Sequence, residues 1–190
     1  MNLPGLKICL PSTPYDAKGL LKTAIRGSNP VIFFEHMALA DMKGEVPEKE
    51  YTIPFGQAAV RKEGTDVTVV ALAKMVHEAL AAAEEMKEQK VSLEVIDPRT
   101  LVPLDTETIR TSVSKTGRLV VVDEACQTCG TAAEIISLVV EKANIFHCLK
   151  APPKRVCAFD IPIPFSPPME RYAIPNKERI VDAVKEILSF

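Results

Sequence analysis

Apolar residues alternate along this chain between two patterns. Short, nearly continuous runs stand at LKICLPS (6–12), NPVIFFEH (29–36), DVTVVALA (66–73), VSLEVIDP (91–98), RLVVVDEA (118–125) and PKRVCAF (153–159). Such runs predict strands buried on both faces, as in a parallel sheet. Between them the apolar positions recur every three or four residues, which predicts helices with one face on the sheet. In TPYDAKGLLKTAIRG the stripe is Ala17, Leu20, Leu21, Ala24 and Ile25, and in KMVHEALAAAEEMKEQ it is Met75, Val76, Ala79, Leu80, Ala83 and Met86. Further helices are expected over TETIRTSVSKT (106–116), TAAEIISLVVEKANIF (131–146) and KERIVDAVKEILSF (177–190), the last with Ile180, Val181, Val184, Ile187 and Leu188 on one face.

Punctuation supports these boundaries. Ser12 or Thr13 can cap the first helix, with Pro14 in its first turn and Gly27 at its end in a left-handed conformation. Asp105 and Asn176 are placed to cap later helices, and Gly117 to close the one after Asp105. The pattern fails over residues 37–54, MALADMKGEVPEKEYTIP, which reads as a linker. The expected organisation is a βαβ piece at 1–36 that cannot cover its own sheet, the linker at 37–54, and an α/β domain at 55–190 whose mostly parallel sheet carries helices on both faces.

Composition narrows the function. With 23 basic and 25 acidic residues and no basic stripe, no nucleic-acid partner is expected. No run of apolar residues is long enough for a membrane span, and the first ten residues do not resemble a secretory signal, so an intracellular, cytoplasmic protein is expected. Five irregularly spaced cysteines read as reduced thiols.

Candidate chemistry is sparse. VVVDEACQTCG (120–130) ends a strand in Asp123 and Glu124 and continues into Cys126-x-x-Cys129, at the sheet edge where α/β proteins present their sites. A lone Cys-x-x-Cys lacks the second ligand pair of a structural zinc, so incidental thiols outweigh a stand-alone Cys126/Cys129 redox module. His36 ends a strand and could face a site, whereas His77, beside an apolar stripe, reads as structural. No glycine-rich phosphate loop or nucleophile motif is present. No catalytic and no cofactor-binding residue is assigned.

Several stretches taken together resemble one family: PSTPYDAKGLLKTAIRGSNPVIFFEH, GEVPEKEYTIPFGQAAVRKEGTDVTVVA, VIDPRTLVPLD, KTGRLVVVDEA and DIPIPFSPP. They are similar to the beta subunit of the thiamine-diphosphate-dependent 2-oxo acid dehydrogenases, the pyruvate, branched-chain 2-oxo acid and acetoin enzymes. The resemblance implies a transketolase C-terminal-type domain preceded by the tail of a pyrimidine-binding domain. It also implies a parent enzyme that decarboxylates a 2-oxo acid, or cleaves acetoin, and passes the acyl group to lipoamide. Thiamine diphosphate and magnesium would belong to the parent complex, whose alpha subunit supplies their contacts, and the isolated chain would be inactive. A potassium site formed in some members by main-chain carbonyls would map onto Ala24, Gly27 and Asn29. Implied partners are the alpha subunit, a second beta subunit, and the subunit-binding domain of the dihydrolipoyl acyltransferase, with Asp123, Glu124 and Phe190 as candidate contacts. A eukaryotic parent would place the protein in the mitochondrial matrix. The related alternative is a piece of a transketolase or a deoxyxylulose-phosphate synthase.

Overall fold

A computed structural model describes Met1 and residues 3–190. Five strands, β3 (Ala59–Lys62), β4 (Val67–Ala71), β5 (Leu93–Asp97), β7 (Leu119–Cys126) and β8 (Lys154–Ala158), form a sheet in the order β3-β5-β4-β7-β8. All neighbours in it are parallel except β3 and β5. Side chains alternate across a strand, so Val67, Val69 and Ala71 of β4 join Val120 and Val122 of β7 in one core, and Val70 joins Leu119 and Val121 in the other. Helices α2 (Met75–Glu88) and α7 (Lys177–Leu188) cover the first core. Helices α3 (Thr106–Thr116) and α4 (Thr131–Val140) cover the second. Each fully buried Val, Leu or Ile contributes roughly 1.5–3 kcal/mol, which makes these two cores the main source of stability.

A second sheet has the order β2-β1-β6, with β1 (Lys7–Cys9) parallel to β2 (Val31–Phe33) and antiparallel to β6 (Thr100–Val102). Helix α1 (Pro14–Arg26) makes the β1–β2 crossover. The predicted βαβ unit is therefore present, but β6 was not anticipated. It follows β5 after a two-residue bend and carries the C-terminal part of the chain into the N-terminal sheet. TLV is too short, and too close to β5, to show a period of its own.

The predicted caps form. Thr13 Oγ1 accepts from the Asp16 amide at 3.1 Å, Asp105 Oδ1 from the Thr108 amide at 3.0 Å, and Asn176 Oδ1 from the Arg179 amide at 2.9 Å. Gly117 closes α3 with φ +74°, the left-handed turn expected of it. Gly27 does not: its φ of −78° and ψ of 156° are extended, and α1 ends through its amide, which is shared by the Thr23 and Ala24 carbonyls.

Other expectations are corrected. The run 131–146 is two helices, α4 and α5 (Ala143–Cys148), because Lys142 adopts ψ 118°. At about 3.6 residues per turn Ile145 would lie off the stripe of Ile135 and Val139, and the break returns it to the core. The proline-rich loop contains helix α6 (Pro167–Ala173), which starts on Pro167 and Pro168, residues suited to a first turn. Strand β2 is only half-buried: Val31 and Phe33 pack toward Leu20, while Ile32, and Phe34 just beyond the strand, are exposed. In α1 only Leu20 of the predicted stripe is fully covered, while Leu21 is exposed and Ile25 is 74% exposed. From Ala40 to Ala58 the chain has no helix or strand, after a 3-10 turn at Met37–Leu39. Among the described residues no helix is long and apolar enough to cross a membrane.

Candidate functional site

The chemically dense region lies where the small sheet meets the large one. Arg61 on β3 reaches across this junction. Its Nη2 pairs with Asp16 Oδ2 on α1 and donates to Asp97 Oδ2 at the end of β5, 2.7 Å away, while its Nε donates to the same Asp97 oxygen at 3.2 Å. Ser12 Oγ donates to Asp97 Oδ2 at 2.5 Å. Arg99 Nε lies 2.9 Å from Asp16 Oδ1, an ion contact not aligned as a hydrogen bond, and the Arg99 amide donates to Asp97 Oδ1 at 2.9 Å. Asp16 and Asp97 are fully buried. Burial alone would lower the Arg61 pKa, but Asp97 and then Asp16 outweigh it, so the guanidinium is held charged.

Two histidines add contacts across the same junction. His77 on α2 hydrogen-bonds through Nε2 to the Ser12 carbonyl at 2.7 Å, the structural role expected of it. His36, after β2, pairs through Nε2 with Glu124 at the end of β7. Its Nδ1 accepts the Ala38 amide at 3.2 Å, so Nε2 carries the proton donated to Glu124. A cavity of about 420 Å³ lies beside this pair, walled by Ser12, Pro14, Glu35, His36, Met37 and Met42.

Asp123 and Glu124, neighbours in sequence, behave differently. The β7–β8 register shifts between Asp123 and Cys126. Asp123 turns inward, its Oδ1 accepting the Ala125 amide at 3.1 Å and its buried Oδ2 left without a geometric hydrogen bond. Burial pushes its carboxyl up, only partly offset by the Ala125, Ala132 and Thr131 amides. It therefore presents no surface to a partner in this structure, whereas Glu124 is part-exposed and engaged by His36. Phe190 is 71% exposed. Cys126 and Cys129 are free and exposed, while burial pushes the Cys9 and Cys157 thiols up to about 11.

Gly27 and Asn29 line a second cavity, of about 440 Å³, with Lys7, Thr23, Arg26 and Phe55. The Ala24 carbonyl already accepts the Gly27 amide, and Lys7 and Arg26 bring positive charge to the wall. Among the described residues no group of three or more His, Cys, Asp or Glu could hold a metal ion.

Sequence reasoning missed the Ser12–Asp16–Arg61–Asp97–Arg99 network. The available signal was phase: Asp16 falls four residues before Leu20 on the buried side of α1, and Asp97 closes a strand whose every residue is buried.

A family model for the transketolase C-terminal domain matches residues 56–180, and a model for the transketolase pyrimidine binding domain matches residues 1–42. The chain belongs to the transketolase C-terminal domain family. It is 48% identical, over 98% of its length, to the beta subunit of acetoin:2,6-dichlorophenolindophenol oxidoreductase from Bacillus subtilis, of which it covers 54%. It is 46% identical, again over 98% of its length, to the pyruvate dehydrogenase E1 component subunit beta of the same organism, of which it covers 57%. The chain thus spans about half the length of these curated relatives. Among solved structures it is similar to a split-gene transketolase described as an inactive beta4 tetramer, with a TM-score of 0.80 and 25% identity, covering 99% of this chain and 59% of that one.

Proposed function

We propose that this chain supplies the C-terminal half of the beta subunit of a thiamine-diphosphate-dependent dehydrogenase acting on a 2-oxo acid or on acetoin, and that its own role is assembly. The observation that carries this reading is the 46–48% identity over 98% of the chain to beta subunits of such enzymes, against 25% to the transketolase. The residues present do not compose a site for the cofactor. The carboxylates and guanidinia at the junction are spent on one another, and the donor set holds no metal cluster among the described residues. Thiamine diphosphate, which stabilises the carbanion left by carbon–carbon cleavage, would be bound with magnesium by the alpha subunit and the remainder of the pyrimidine-binding domain, and any potassium ion would need ligands from that remainder.

The exposed side chains of α1 and β2 support the same reading, since exposed apolar side chains and an unpaired strand edge are suited to receive further strands and helices. A second beta subunit would associate through the C-terminal domain, and Phe190 would offer an aromatic contact to the acyltransferase's subunit-binding domain. A cytoplasmic location, or the mitochondrial matrix in a eukaryote, fits these partners.

Reconstitution tests the proposal. The chain alone should not reduce a dye with pyruvate, branched-chain 2-oxo acids or acetoin. Mixed with an alpha subunit and the N-terminal half of a beta subunit, it should do so with one of them in the presence of thiamine diphosphate and magnesium. A stable assembly of all three polypeptides that neither binds the cofactor nor turns over any of these substrates rejects it.

A further inference from the structure

The cysteine pair that ends β7 has a geometry the proposed function does not use. Cys126 is the last residue of the strand, paired with Ala158 of β8, and Cys129 follows in a left-handed conformation, φ +55°. The two residues between them are pinned. The Gln127 amide donates to the Ala158 carbonyl at 3.2 Å, the Gln127 carbonyl accepts Arg155 Nη1 at 2.9 Å, and the Thr128 amide and hydroxyl donate to Asp160 at 3.0 and 2.6 Å.

The chain then folds back on itself: a Cβ added at Gly130 would stand 2.3 Å from the Cys126 carbonyl oxygen, so no other residue fits there unless the turn opens. Gln127 forms a bend and Thr128 and Cys129 are the central residues of a turn, and a disulfide spans α-carbon separations of roughly 4.4–6.8 Å, within reach of residues three apart in a chain that folds back between them. Both thiols are exposed. The other three are poor competitors: Cys9 and Cys157 are buried, and Cys148 donates to the Asn144 carbonyl at 3.1 Å on a different helix.

We infer that Cys126 and Cys129 form a thiol–disulfide site that reacts reversibly with a low-molecular-weight disulfide such as oxidised glutathione. One cysteine thiolate attacks the small disulfide, its sulfur–sulfur bond breaks, and one molecule of small thiol leaves with the proton. The second cysteine thiolate attacks the protein sulfur of the mixed disulfide, joins Cys126 to Cys129, and expels the second small thiol. The protein loses two protons and two electrons, and the small disulfide gains both. The new bond ties the end of β7, two residues after Glu124, to the residue before the N-cap of α4. This inference does not depend on the proposed function, because it concerns the chain's own thiols.

The experiment incubates the reduced chain with oxidised glutathione and follows intact mass and non-reducing peptide maps. The wild-type chain should lose two free thiols, yield one peptide cross-linked between Cys126 and Cys129, and return to the starting mass with reduced glutathione. Cys126→Ser and Cys129→Ser, both at exposed positions, should instead stop at a stable mixed disulfide on the remaining cysteine. Wild-type protein carrying two persistent glutathione adducts, or cross-links confined to Cys148 or to a second chain, would overturn the inference.

Discussion

Arg61 and Asp16, 45 residues apart, form a buried ion pair that fastens the first helix to the first strand of the large sheet. The same guanidinium holds Asp97, so removing it leaves Arg99 as the one cation in contact with two buried carboxylates. Breaking one side of a buried pair costs about 3–5 kcal/mol, because a charge is left without compensation. Arg61→Met is expected to destabilise the protein by about that amount in urea denaturation. Hydrogen exchange should quicken first in β1 and α1, which the network anchors, and adding Asp16→Asn and Asp97→Asn should recover part of the loss. Equal stability of Arg61→Met and the wild type would show that the junction is held by the β1–β6 pairing alone.

Asp105 links the start of α3 to the approach to β3, its Oδ2 accepting the Ala58 amide at 2.9 Å and the Thr108 hydroxyl at 2.7 Å. Burial pushes its carboxyl up, but the hydrogen bonds from Thr108, Ala58 and Glu107 prevail and hold it below the usual range. Burial likewise opposes ionisation of Glu94, and Lys115, Ser112 and the Gly64 amide more than offset it. A depressed folded-state pKa gives stability that is complete above the unfolded value, roughly pH 4, and is lost as pH falls through the folded value. Asp105→Ala should therefore cost about 0.5–2 kcal/mol at pH 7, and the gap to wild type should narrow below about pH 4. A gap that is constant between pH 7 and pH 3 would mean that the carboxylate charge plays no part.

Gly64 sits so close to β5 that an added Cβ would lie 2.2 Å from the Leu93 carbonyl carbon and 2.3 Å from the Glu94 nitrogen. Both are backbone atoms of a central strand and cannot move aside as a side chain would. Gly64→Ala is expected to cost about 1–3 kcal/mol or more through overpacking, and to weaken the Gly64 amide's hydrogen bond to Glu94. Thermal unfolding compared with Gly5→Ala separates sterics from backbone preference. Gly5 has nothing within 4 Å but a φ of +88°, so its substitution should cost only the strain of a left-handed alanine.

How much of this was legible follows from scale. The large sheet was readable because Val67, Val69, Val120 and Val122 leave no doubt about which stretches are buried, and Asp105, Gly117 and Asn176 mark the helix ends with side chains that do the capping. What escaped depends on contacts between distant residues. Strand β6 exists because β1 supplies its partner, the break at Lys142 because Ile145 must regain the core, and β2 is half-covered because only its Val31 and Phe33 face Leu20 of α1. The charge network was hidden for the same reason. Asp16, Arg61 and Asp97 look like ordinary charges until the fold places them together.

The exposed flank of α1 and β2 gives the last prediction. Ile25 on α1 is 74% exposed and Ile32 on β2 39%, and β2, at the edge of its sheet, offers unpaired backbone groups. Exposed large apolar side chains and a free strand edge each promote association, whereas exposed positions contribute within about 0.5 kcal/mol to folding. Ile25→Glu combined with Ile32→Thr should leave the urea midpoint nearly unchanged. It should shift the chain toward monomer in analytical ultracentrifugation and weaken its capture of the N-terminal half of a beta subunit. The proline-rich segment before α6, with Phe165 wholly exposed and Ile161 and Ile163 also exposed, provides the control. If Phe165→Ser alone abolishes association while the α1–β2 double variant does not, the exposed flank of the small sheet is not where the chain meets its partners.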